Sequence, residues 1–593
     1  MHDAALPPPQ APPQKIFRFR RDYNAWVADE TLEDYALRYT ARSFRKWSEF
    51  RVANTAFGSL SFLALEAIGG AIALNYGFTN AMWAFLVAGL VIFLASLPIA
   101  IYAARYGLDM DLLTRGAGFG YMGSTITSLI YAVFTFIFFA LEAAIMALAL
   151  QLVVDWPLWV CYVLCSLVIL PLAMRGITLI SRLQAWTQPL WLFLLALPFV
   201  WIAVTQPQLY RDFTTLSGLR SGSSGFDPLM FGAATAVIFS LVVQIGEQVD
   251  FLRFLPERTA RNHWRWWAAV LVAGPGWIVM GVLKMAGGAF LAFAALQFQI
   301  GTHRATEPTQ MFLAGFAEVT RTLGIPGLAA ALTVLFVVIS QIKINVTNAY
   351  AGSLAWSNFF ARVARSHPGR VVWLVFNVGI ATLLMLLGVF GALEVVLAVY
   401  SNVAIAWIGA LVADLVVNKP LGLSPRHIEF RRAYLYDFNP VGLGAMLPAA
   451  TVACAAHAGL LGSYAAAFSP FLALVLSFLL APLLAWITRG RYYLARPVDT
   501  PASQDDTLRC SVCTNQFELP DMASCPAYGA PICSLCCSLE SRCHDRCKTQ
   551  SRASEQIRAV VTALLPGRWA VRFNFRLAQY TLCLLYTSDA ADE

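Results

Sequence analysis

Apolar runs long enough to cross a bilayer recur from about residue 52 to about residue 487, separated by short stretches rich in Arg, Lys, Asp, Gly and Pro. They predict twelve helical spans near 52–74, 81–104, 124–153, 156–174, 186–204, 228–250, 267–297, 324–352, 372–391, 392–414, 441–463 and 467–487. An even number of crossings returns both ends of the bundle to one side. Residues 1–51 form a basic arm that includes Lys15, Arg18, Arg20, Arg21, Arg38, Arg42 and Arg45, without the short apolar core of a cleavable signal.

Composition narrows the class. With 58% hydrophobic and 13% charged residues, the chain is expected to be an all-α polytopic membrane protein. The net charge of +8 speaks of topology and not of nucleic acid, because its cations collect in every second loop, on one side of the bundle. Arg105 and Arg115, Arg175 and Arg182, Arg253 to Arg265, Arg362 to Arg370 and Lys419 to Arg432 fall on the side of the N-terminal arm, whereas the opposite loops hold only a few cations such as Arg211 and Arg304. By the positive-inside rule the arm and everything after the last span are cytosolic.

Polar residues at membrane depth are costly, so each is a candidate for a cavity or a partner. The first span carries Glu66 beside the pair Gly69-Gly70, which could unwind the helix or merely let a neighbour approach. In the third span Phe138 and Glu142 lie four residues apart and share a helical face. A ring with a carboxylate one turn away suits a flat heterocycle, stacking on it and accepting its N–H bonds. The sixth span carries Gln244, Glu247 and Gln248 and then Asp250-Phe-Leu-Arg253. The eighth packs Ser340, Gln341, Lys343, Asn345, Thr347, Asn348 and Tyr350 into eleven residues, and amides at Asn345 and Asn348 offer donors and acceptors to a base-like ligand. Lys343 and Lys284, in the seventh span, are candidate counter-ions for Glu66, Glu142 or Glu247. Interhelical glue and ion pairs account for the same residues without a ligand.

Eight of the twelve cysteines crowd between Cys510 and Cys547, behind the linker 488–507. Two Cys-x2-Cys pairs about twenty residues apart are a zinc signal, each knuckle bringing two thiolates to one ion. Cys510, Cys513, Cys533 and Cys536 are the first choice for one structural ion. Cys525, Cys537, Cys543 and Cys547, with His544 as an alternative ligand, are candidates for a second. A disulfide module is disfavoured on the cytosolic side, and an iron–sulfur cluster is the other alternative. The module is bounded at 508–548 and followed by a linker, 549–571, in which Ile557, Val560, Val561 and Leu564 fall on one face of a short amphipathic helix. Residues 572–582 read as the start of a truncated membrane segment, and 583–593 resemble the translation of a sequencing adapter, so the native chain is expected to continue.

Arg115-Gly-Ala-Gly-Phe-Gly120 before the third span, Asp250-Phe-Leu-Arg253-Phe after the sixth and Asn345-Val-Thr-Asn348-Ala-Tyr350 in the eighth resemble the first nucleobase cation symporter family, the cytosine, purine, allantoin and hydantoin permeases. The resemblance, over about residues 22–487, implies two inverted five-helix repeats with broken first and sixth helices and two further helices. It implies a ligand site drawn from Phe138, Glu142, Gln244 and Asn345 or Asn348. Such permeases typically carry tryptophan and an amide where Phe138 and Glu142 stand, and sodium-site hydroxyls where this chain has Ile342 and Lys343, with Ser340 nearby. A fixed ammonium in place of a cation predicts sodium-independent ligand binding.

Together with the Cys-rich module, the chain resembles the N-terminal half of bacterial membrane sensor histidine kinases with a permease-like sensor. That resemblance implies the inner membrane, a kinase beyond the truncation and a response regulator or kinase dimer partner. No P-loop or kinase nucleotide motif is present, so the residues themselves make no enzyme. The expected function is binding, with or without transport, of a nucleobase-like N-heterocycle as sensory input. The alternative is a proton- or sodium-coupled purine/cytosine-type symporter with a regulatory zinc module.

Overall fold

Backbone in hydrocarbon must satisfy its own N–H and C=O groups, and the apolar runs accordingly form helices. The computed structural model describes residues 36–564, apart from 322–323, 326, 366, 389–392, 499–506, 541–542 and 549. The expectations for most of the arm, the middle of the first linker and residues 572–593 lie outside the described residues.

In chain order the principal helices begin with α1 (Glu49–Gly58), α2 (Ala64–Tyr76), α3 (Phe78–Tyr106), α4 (Ser124–Leu150), α5 (Leu158–Met174) and α6 (Gly176–Thr205). There follow α7 (Pro228–Leu252), α8 (His263–Ala273), α9 (Gly276–Gln297), α10 (Pro308–Thr320), α11 (Leu328–Val363) and α12 (Arg370–Leu386). The last of the bundle are α13 (Leu393–Ala413), α14 (Pro440–His457) and α15 (Ser469–Ile487). Among the described residues nine helices are long and apolar enough to cross a membrane, ten if α1 and α2 are one bent span. The shorter α5 and α12, of 17 residues each, stand where the fourth and ninth spans are expected.

The structure departs from the predicted spans in four places. The first span is broken at Phe62–Leu63 with a bend of 49° and not at Gly69-Gly70, which lie inside α2. The expected seventh span is split at Gly274-Pro275, where proline cannot continue the hydrogen-bond ladder. In the sixth, a 3-10 turn at Ser240–Val243 interrupts α7 without a sharp bend. The eighth runs to Val363, because the basic Arg362 that ends the apolar run in sequence is buried against the protein.

Each span divides by face. In α3, Leu86, Leu90 and Leu94 repeat one turn apart on the outside, while Ala81, Ala84, Ala88 and Ala95 are buried. α4 lies along α11, and α2 along α9. The α2–α9 crossing is so close that a Cβ on Gly69 would stand 2.0 Å from the Met285 carbonyl oxygen, and one on Gly288 2.3 Å from Glu66 Cα.

Behind the bundle, two antiparallel hairpins pair β1 (Thr507–Arg509) with β2 (Gln516–Glu518) and β3 (Met522–Cys525) with β4 (Ala530–Cys533). The helices α16 (Ser534–Leu539) and α17 (Ala553–Leu564) follow. The second is the short helix expected in the linker.

Gly288→Ala is predicted to force α2 and α9 apart and to destabilise the protein by about 2 kcal/mol. Thermal unfolding in detergent measures it; an unchanged midpoint would mean that the helices can separate freely.

Candidate functional site

The break between α1 and α2 leaves backbone groups without intrahelical partners, and remote side chains supply them. At the start of α2 the N–H groups of Leu63 and Ala64 donate to the two carboxylate oxygens of Glu142 on α4, each at 3.1 Å. On the other side, Lys284 of α9 donates to the carbonyls of Leu60 (2.8 Å) and Phe62 (2.6 Å) and stands 3.4 Å from Glu66 Oε2. Lys284, Glu66 and Glu142 are all buried. Of the glutamates that sequence offers as partners of Lys284, the structure places Glu66 beside it, and the ammonium also caps carbonyls. Glu142, expected to read ligand N–H groups, spends both oxygens on the backbone of the break.

Next to the break lies a layer of amides and carboxylates. Gln244 Nε2 donates to Glu247 Oε2 at 2.8 Å, Asn348 Nδ2 to Asn345 Oδ1 at 3.4 Å, and Gln248 Nε2 to Ser59 Oγ at 3.3 Å. Glu247 is within electrostatic reach of Glu142. Glu247 Oε1, Gln248 Oε1, Asn345 Nδ2 and Asn348 Oδ1 are buried and have no hydrogen-bond partner among the described residues. Phe138, on the face of α4 that carries Glu142, is buried with its ring 4.4 Å from that of Phe134.

The two other residues expected at an ion site are engaged elsewhere. Ser340 Oγ accepts from the indole N–H of Trp191 at 3.0 Å, and its carbonyl accepts from Ser61 Oγ at 2.8 Å. Lys343 is not a counter-ion of the three glutamates: it turns to α6, donating to Gln188 Oε1 (2.9 Å), Thr187 Oγ1 (3.0 Å) and the Gln184 carbonyl (3.3 Å). Two residues along a helix are roughly 200° around it, so Lys343 and Asn345 cannot share a face. Sequence reasoning missed Trp191, Gln184 and Gln188, although glutamines one turn apart in an apolar run were a visible signal.

Toward the α1 end the family-like motif residues form a buried bolt. Tyr131 OH donates to Asp250 Oδ2 at 2.8 Å, and Arg253 donates to Tyr350 OH at 2.7 Å and lies 3.7 Å from Asp109. Further out, Arg362 reaches Ser124 at 2.6 Å and Asp111 at 3.4 Å. These pairs tie α4, α7 and α11 together.

In the Cys-rich module, the sulfurs of Cys510, Cys513, Cys533 and Cys536 all lie within 4.8 Å of one another and are buried. Cys533 N–H points at Cys510 Sγ (3.3 Å) and Cys536 N–H at Cys533 Sγ (3.5 Å), and Thr514 closes the first knuckle at φ +66°. Hydrogen bonds from Cys513, Cys533 and Cys536 pull the Cys510 thiol far below its ordinary range. Four soft, ionisable donors at tetrahedral reach fit zinc. Cys525, Cys537, Cys543 and Cys547 line one small cavity beside this cluster, but among the described residues only the first set is gathered this closely. His544 sits in the turn between Cys543 and Cys547 at φ +46°.

The module is docked on the bundle. Arg432 donates to the carbonyls of Cys537 (2.8 Å) and Glu540 (2.6 Å) and pairs with Asp545, while Lys548 pairs with Asp437 at 2.7 Å.

No family model and no curated protein sequence matches the chain. Solved structures do. The nucleobase-cation-symport-1 family transporter Mhp1, closed with bromovinylhydantoin bound, superposes with a TM-score of 0.56 at 17% identity, over 77% of this chain and 98% of that one. Its inward-facing form gives 0.55 at 18%, over 78% and 97%. A substrate-bound, outward-open sodium-coupled sialic acid symporter gives 0.51 at 12%, over 79% and 98%. The bundle therefore has the fold of these transporters.

Glu142→Gln is expected to cost about 1.5 to 3 kcal/mol of thermal stability without any ligand, because a charged acceptor is lost at the break. Weakened ligand binding at unchanged stability would instead make Glu142 a ligand acceptor. The purified chain is expected to hold roughly one zinc ion at the four-cysteine cluster, and Cys513→Ser with Cys536→Ser to lose it. Elemental analysis decides this.

Proposed function

We propose that the chain is a permease-type carrier that binds a flat N-heterocyclic solute of the nucleobase class beside the break between α1 and α2 and moves it by symport. What carries this reading is the coincidence, within a symporter fold, of a broken helix with buried amides and a carboxylate whose hydrogen-bonding capacity is unmatched at Glu247, Asn345 and Asn348. Both unmatched donors and unmatched acceptors are present, as a purine- or hydantoin-like ring edge requires. Phe138 and Gln244 complete the candidate set. The reading takes twelve spans, with α5 and α12 crossing the membrane, and an orientation with the arm and the Cys-rich module in the cytosol of a bacterial inner membrane.

In its coupling the chain differs from a sodium carrier. Lys284 already donates to Leu60 and Phe62, two carbonyls that the break leaves open to a cation. A bound sodium ion there would have to displace a buried ammonium or meet its repulsion. The coupling ion is then a proton, with Lys284, Glu66 and Glu142 as the groups that can exchange one. Zinc has a structural role in this account, with one ion at Cys510, Cys513, Cys533 and Cys536.

A second reading is a sensor that binds without accumulating, its module passing the state of the bundle to domains beyond the chain. The docking of the module by Arg432 and Lys548 favours it.

In proteoliposomes, labelled cytosine, purines or hydantoins should accumulate under an imposed proton gradient, and binding should be unchanged when sodium is exchanged for choline. A sodium-dependent isotherm would overturn the coupling assignment. Saturable binding without accumulation under any gradient would favour the sensor.

A further inference from the structure

The segment that leads into α1 is held by the Cys-rich module and by little of its own structure. Arg42–Phe44 form a single 3-10 turn, and the N–H groups of Arg42 and Ser43 at its start donate to the carboxylate of Glu518, at 3.1 Å and 3.2 Å. Tyr39 OH also donates to Glu518. Arg38 makes a buried ion pair with Asp521 and stacks over the Phe517 ring, 3.9 Å from its centroid. Leu37 lies in one apolar cluster with Cys510, Cys513, Cys533 and Cys536.

The arm also reaches the helices of the bundle. The Ala36 carbonyl accepts from Asn358 of α11 at 2.7 Å, Arg42 pairs with Glu257 beyond α7 at 2.7 Å, and Trp47 stacks on Phe254. Ser48 then caps α1, which packs on α6 through Arg51 and Thr55 to Ser181. In alternating access one group of helices rocks or gates against the other around the site, and α1 ends at the break beside which the polar layer lies. An arm pinned to the module opposes any shift of α1.

Both acids of the pin stand in the loop between the two cysteine pairs. Glu518 ends β2, and Asp521 lies in the turn before β3, where it also accepts from Ser534 Oγ, next to Cys533. Closing Cys510, Cys513, Cys533 and Cys536 around an ion fixes that loop from within, because the small apolar cluster of Val512, Met522, Ile532 and Leu535 is built around the four cysteines. Burial pushes the Asp521 carboxyl up, against the pull of Arg38. Without its arginine it would be a costly buried group, so pin and module stand or fall together.

We propose that the four-cysteine cluster is an effector site for a thiophilic divalent cation such as zinc, whose occupancy locks the arm and the α1 half-helix and so holds the module-side entrance to the solute site closed. This rests on the reading of the cluster as a metal site and adds a regulatory consequence to it. Loss of metal frees Glu518 and Asp521 together, and α1 is released.

Hydrogen exchange of residues 49–61 in the full-length protein, in detergent or nanodiscs, tests the lock, with metal content measured on the same samples. Zinc-loaded protein should protect this segment, and a strong chelator should speed its exchange about tenfold or more, as expected for loss of charged hydrogen bonds. Because chelation also unfolds the module, Glu518→Ala provides a second arm: it touches no thiol, and should speed exchange in α1 while zinc stays bound. Unchanged exchange after chelation of zinc-loaded protein, or in zinc-bound Glu518→Ala, overturns the lock and leaves the metal site standing. A chain that binds no zinc removes the metal reading and the proposal with it.

Discussion

A break in a membrane helix creates N–H and C=O groups that hydrocarbon cannot satisfy, and the rest of this bundle is arranged around meeting that demand. The carboxylate of Glu142 takes the N–H side and the ammonium of Lys284 takes the carbonyl side. Each alone would be a buried charge at prohibitive cost. Together with Glu66 and the opposed backbone dipoles they form a set that compensates itself. The close α2–α9 crossing follows, because only glycine at Gly69 and Gly288 lets the lysine-bearing helix approach near enough to reach the break.

The same arrangement concentrates polar side chains beside the break. Gln244, Glu247, Asn345 and Asn348 bond to one another in pairs that leave capacity over at Glu247, Asn345 and Asn348, next to the bolt of Tyr131, Asp250, Arg253 and Tyr350. Incomplete satisfaction in a buried layer is costly in a purely structural role and useful in a binding one. Farther along the same axis, the Cys-rich module grips the approach to α1 from the end where the basic residues collect. Polar layer, bolt and module thus follow one another along α1, α4, α7 and α11.

Much of this was legible in the residues. Positions of the spans followed from apolar runs, the candidate site from polar residues at depth, and the knuckles from cysteine spacing. Lys284 is one of two lysines at depth that sequence offers as partners for the buried glutamates, since a buried charge needs an opposite one. The place of the break was not legible. Gly69-Gly70 offered the local signal for unwinding, yet the chain breaks at Phe62–Leu63, because what stabilises a break is the arrival of caps from 79 and 222 residues away. Lys343 was misassigned for a related reason: its sequence neighbours Asn345 and Asn348 face a different side of α11.

Sequence alone determined that the chain is a helical membrane bundle with a cysteine-knuckle appendage, because hydropathy and ligand spacing are local properties. Which buried groups meet was decided only by tertiary structure. Glu142 serves backbone, Lys284 stands at open carbonyls, Lys343 faces α6, and Glu518 and Asp521 hold the arm. Each of these depends on helices and hairpins remote in sequence coming within hydrogen-bond reach, and no local pattern encodes that distance.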